Sequence, residues 1–116
     1  MFTANRLLTA SGLFHLHHLR AATHAEHKVL EEVYNRATEH ADRLLEYILS
    51  TQPRVLDNVA SLSATAGNAM SDLDAFINDL VDAMSHTSDD VLGNLLQDAV
   101  GEFKRLKYQL RLAQRK

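Results

Sequence analysis

From Thr23 to Gln52 the chain runs for thirty residues without a proline or a glycine. Within that stretch Leu30, Val33, Ala37, Ala41, Leu44 and Ile48 recur every three or four positions. That spacing puts them on one side of an α-helix but scatters them over both faces of a strand. Thr23 and Glu26 make a Thr-x-x-Glu capping box at the start, and Pro53 stops the helix at the other end. A helix from Thr23 to about Ser50 follows. A rod of that length with an apolar stripe along one side needs other helices to cover it.

The rest of the chain supplies them. Residues 4–22 form a first helix, with Leu7, Leu8, Ser11, Phe14, His15, His18, Leu19 and Ala22 in one sector and His17 pointing away. After Pro53 a helical pattern continues through Leu56, Val59, Leu62, Met70, Leu73, Ile77, Leu80 and Met84. Gly67 and the serines and threonines of "SLSATAGNAMS" interrupt it, giving a short helix, a break near 63–68 and a third main helix to about Ser85. Ser88 is the expected N-cap of a fourth main helix carrying Leu92, Leu95, Leu96, Ala99, Phe103, Leu106 and Leu110. The predicted fold is all-α. It is one domain over residues 1–116, an antiparallel four-helix bundle with a short extra helix in the middle connection.

There is no cysteine, which excludes disulfides, zinc fingers and thiol catalysis. No apolar run approaches the roughly 20 residues of a membrane span, and the first residues are too polar for a signal peptide. A cytoplasmic location is expected. Charge is unevenly spread: residues 55–103 carry nine acids and no Lys or Arg, and residues 104–116 carry six bases and no acid. Lys104, Lys107, Arg111 and Arg115 line one side of the last helix. Nucleic-acid phosphate is one partner for such a face, but pairing with the acidic third helix, or solvation, is the preferred reading. Asp72, Asp79 and Asp82 are expected to face solvent.

Five of the seven histidines lie between Phe14 and His27. On the second helix His27, Glu31, Asp42 and Glu46 form a polar stripe beside the apolar one. His15 or His18, on the inward sector of the first helix, can approach its His27 end. Imidazole with carboxylate suits iron(II), manganese or zinc. His27 and Glu31 are one turn apart and can share an ion. Asp42 lies about 22 Å further along the helix and cannot reach them within one chain. Both ends of the stripe serve one site only if the second helix meets a copy of itself running antiparallel, which is what a two-fold dimer provides. His17, His24, His40 and His86 are expected at the surface or beside a cap, and Tyr34 near the stripe is expected to pack.

The spacing resembles that of the Dps branch of the ferritin-like proteins. There a histidine is followed, after eleven intervening residues, by another, then by an acid four positions on, an aspartate eleven beyond it and a glutamate four further. His15, His27, Glu31, Asp42 and Glu46 stand at those intervals. "HADRLLEYI" is similar to that family's carboxylate segment. "LHHLRAATHAEHKVLEEVY" and "LLQDAV…YQLRL" more closely resemble small phage proteins of Dps-like pattern, with a histidine at the His18 position. The resemblance covers residues 13–50 and 92–112. It implies a ferritin-like fold and an iron site (zinc or manganese as alternatives) built across a homodimer. It also implies ferroxidase activity where two irons sit together, and host cytoplasm as the location of a phage-encoded chain. Leu16 and Leu19 stand where Dps has tryptophan after the histidine, and the lysine-rich tail is missing. The implication is therefore a dimeric metal site rather than a DNA-compacting cage.

Two other functions compete. One is a non-enzymatic helical module for oligomerisation or partner binding that keeps a vestigial site. The other is a helical nucleotide pyrophosphohydrolase, which needs Glu-x-x-Glu. Glu31 is followed three residues later by Tyr34, and Glu32 by Asn35, so that motif is absent.

Overall fold

The computed structural model describes residues 2–51 and 68–114, which form four α-helices and no strand. They are α1 (Phe2–Leu19), α2 (His24–Thr51), α3 (Ala69–Ser85) and α4 (Asp90–Ala113). Each of the last three begins at a side-chain cap. The Thr23 hydroxyl accepts from the Glu26 backbone N–H at 3.1 Å and donates to the Glu26 carboxylate, so the Thr23 half of the capping box forms and Glu26 answers through the hydroxyl. Asn68 accepts from Met70 N and Ser71 N. Asp89, not Ser88, caps α4, accepting from Val91 N and Leu92 N. Tyr47 of α2 donates to the same Asp89 carboxylate, a tertiary tie that Ser88 lacks. α1 ends at Leu19, three residues short of the expected Ala22, where Arg20 N turns to both Leu16 O and His17 O.

Cross-helix pairs fix the directions. Ser11 meets Thr38, His15 stacks on Tyr34 and His18 meets His27, so α1 and α2 are antiparallel. Arg6 pairs with Asp79 and His17 with Asp72, so α1 and α3 are antiparallel. Arg105 reaches Glu32 while Asp89 meets Tyr47, which makes α2 and α4 antiparallel. Lys107 pairs with Asp74 and Phe103 packs on Phe76 between α3 and α4. The four helices therefore form a square bundle in which α1 and α4 point one way and α2 and α3 the other. α3 begins at the end of the bundle opposite to where α2 finishes. The short extra helix expected in that link lies outside the described residues.

Phe14, Phe76 and Phe103, from three helices, are fully buried and touch in series, with ring centroids 5.7 and 5.0 Å apart. Each contributes roughly 1.5–3 kcal/mol by leaving water. The predicted stripe of α2 is buried in full. The phase of α1 differs from expectation. Its inward side is Ala10, Leu13, Phe14 and His17, while His15, Leu19 and Ala22 face out.

Candidate metal centre

α1 ends and α2 begins at the same end of the bundle, and the short turn between them brings His18 beside His27. The two imidazoles lie with centroids 3.9 Å apart. Nδ1 of His18 is 3.2 Å from the carbonyl oxygen of His27, and Nδ1 of His27 is 3.2 Å from that of His18. A carbonyl oxygen only accepts, so each Nδ1 carries the proton in these bonds. In the neutral imidazole Nε2 then keeps its lone pair. An imidazole held by Nδ1–H on a backbone carbonyl, with Nε2 free, is the form in which histidine ligates metals.

Glu31, one turn beyond His27, completes the group: ligand atoms of His18, His27 and Glu31 all lie within 4.8 Å of one another. An ion about 2.1 Å from each donor needs donor spacings of about 3.4 Å in a tetrahedral arrangement. Two neutral nitrogens and one carboxylate are a donor set for iron(II), zinc or manganese. His18 and His27 are half-buried and Glu31 is exposed, so the site is open on one side.

Of the other residues predicted for the site, His15 faces solvent, stacked on Tyr34 at 4.4 Å and 6.2 Å from His18 by ring centroids. It stands next to the group without belonging to it. Asp42 and Glu46 are exposed on α2, several turns away. Tyr34 packs, as expected.

Two histidines expected at the surface are buried. His17 donates from Nε2 to the Asp72 carboxylate at 2.7 Å, and Phe14 packs beside its ring. His40 meets Glu102 at 3.2 Å and packs on Phe103. Arg36 also holds Glu102 from 2.9 Å and, through Glu39 first and Glu102 after it, has its pKa raised. The position of His40, three after Ala37 and four before Leu44, already lay within the buried stripe. The acidic third helix is likewise less free than expected: Asp72 takes His17, Asp79 takes Arg6, and Asp74 takes Lys107. Lys104 and Arg111 face solvent, and Arg115 lies outside the described residues.

Among the described residues no helix is long and apolar enough to cross a membrane. No protein-family model, no curated protein and no solved structure matches this chain.

Proposed function

We propose that this chain is a ferritin-like, Dps-like metal-binding protein whose half-site is His18, His27 and Glu31. The observation that carries the reading is the mutual clasp of His18 and His27 beside Glu31, with a ligand atom of each of the three within 4.8 Å of the others. The helix directions support it as well, since a bundle with one end-to-end connection is the ferritin-like arrangement. A second copy packed antiparallel on the outer side of α1 and α2 would bring its Asp42 and Glu46 to complete the coordination. Exposed Leu16 and Leu19 on α1 offer apolar area for that contact. Iron bound there would supply Fe(II) oxidation by oxygen or peroxide when two positions fill; zinc or manganese would bind without it.

The same exposed leucines favour a second reading, a non-enzymatic oligomerisation module. Purified protein titrated anaerobically with Fe(II), and separately with Zn(II) and Mn(II), decides between them. Metal binding at about 100 times Kd adds about 2.7 kcal/mol of stability, which raises Tm by several degrees. The metal-binding reading expects that rise, and its loss in His27→Ala. A protein whose Tm no metal moves, but whose self-association disappears in Leu19→Glu, is the module.

A further inference from the structure

Ion pairs close the outer seam between α2 and α4 along part of its length. Arg105 meets Glu32 at 3.5 Å and Arg36 meets Glu102 at 2.9 Å. Because the two helices are antiparallel, the next opposed positions are Arg43 on α2 and Asp98 on α4. That rung is open. Arg43 and Asp98 line one groove from opposite sides. Neither makes an ion pair with the other or with any other described residue. Gly101, one turn beyond Asp98, borders the same space, and a Cβ added there meets nothing within 4 Å. The missing side chain leaves a groove of about 660 Å³, open to solvent.

The other charges of the groove are already matched. Glu102 receives Arg36 and the buried His40, and Arg105 holds Glu32. His40 also packs on Phe103, which fixes the floor. One guanidinium and one carboxylate remain, on opposite walls, with the Gln97 amide in the same lining.

We propose that this groove binds a small zwitterion of the amino-acid class, its carboxylate on Arg43 and its ammonium group on Asp98. A planar guanidinium takes a carboxylate through two parallel N–H bonds. An anion alone would gain Arg43 but approach Asp98, and a cation alone would gain Asp98 but approach Arg43. A molecule carrying both charges is attracted at both walls, so the groove selects by repulsion as well as by contact. Gln97 offers both donors and an acceptor to the part of the ligand between its charges. Gly101 lets the ligand's carbon chain lie against the helix backbone. Water reaches the groove and screens these charges, so the binding is weak.

An NMR titration of the full chain tests the proposal, followed through the backbone amide resonances of residues 97–102. Glycine, β-alanine and 4-aminobutyrate carry the same two charges at increasing separation, whereas acetate and methylammonium carry one each. At least one of the zwitterions is expected to shift these resonances saturably. Acetate and methylammonium should bind on the order of tenfold more weakly, having lost one charge-assisted contact. Arg43→Gln and Asp98→Asn should each bring the zwitterion down to that level. Gly101→Leu fills the groove and abolishes the shift. It replaces a helix-weakening glycine, so its Tm does not fall and the lost binding is not lost folding. Zwitterions that all leave the resonances unmoved overturn the proposal. So does acetate binding as tightly as the best zwitterion, or a Gly101→Leu variant that binds like the parent chain.

Discussion

His18 and His27 hold each other's backbone: each ring Nδ1 stands 3.2 Å from the other residue's carbonyl oxygen. One pair of side chains thus both fastens the end of α1 to the start of α2 and presents two ligand nitrogens. His27→Ala is expected to weaken metal binding by about 100-fold or more, since loss of supporting contacts alone costs 10–100-fold. Isothermal titration with Zn(II) reads this directly. Equal affinity in the variant would remove the site. The same substitution without metal costs about 1 kcal/mol, from one lost hydrogen bond.

The His17–Asp72 pair behaves as a buried polar contact. Removing only the acceptor, in Asp72→Ala, leaves a buried imidazole donor unsatisfied and is expected to cost about 1–3 kcal/mol in urea unfolding. The double variant His17→Leu/Asp72→Ala should recover most of that loss, because neither partner is then left unpaired. A double variant as unstable as the single one would show that the pair does more than satisfy itself.

Phe76 joins Phe14 to Phe103, and the Arg6 guanidinium lies over its ring, 5.4 Å from the centroid. Phe76→Ala is expected to destabilise the bundle by about 3–5 kcal/mol, measured by thermal or denaturant unfolding. A cost below about 1 kcal/mol would mean that these rings do not meet as described.

Asp89 carries a pH dependence with a definite sign. The Tyr47 hydroxyl first, and the Leu92 and Val91 backbone N–H groups after it, hold the Asp89 carboxyl below its ordinary value. A depressed folded value stabilises the fold above the ordinary carboxylate range, and this contribution disappears as pH falls through the folded value, below about pH 4. Asp89→Asn keeps the cap acceptor but has no proton to gain, so its stability should fall less steeply on that acid limb. The same contact raises the Tyr47 hydroxyl, whose contribution is present below about pH 10 and is lost as pH rises through the folded value. Tyr47→Phe should flatten both limbs. Parallel acid limbs for the parent and Asp89→Asn would dismiss the coupling.

The α2 stripe was legible because its apolar residues leave one side and its charges take the other. α1 was not, since Leu13, Phe14, Leu16 and Leu19 spread apolar groups over more than half of its circumference, and a helix with no clear polar side has no phase to read. Its rotation is set instead by Arg6–Asp79 and His17–Asp72, contacts more than fifty residues apart in sequence. His40 was misplaced by its residue type: Glu102 and Phe103 accommodate it, and neither is visible from α2 alone. At the site, spacing nominated both His15 and His18. Only the turn at Arg20–Thr23 decides which meets His27, and a turn's path is not written in helical periodicity.

Because α2 and α3 run the same way, the described helices make two complete hairpins joined end to opposite end. All contacts between them survive if the second hairpin docks onto a neighbouring molecule's first. Cutting residues from the tether between Thr51 and Asn68 until it no longer spans the bundle therefore leaves a coherent alternative, an interlocked pair in which each molecule completes the other.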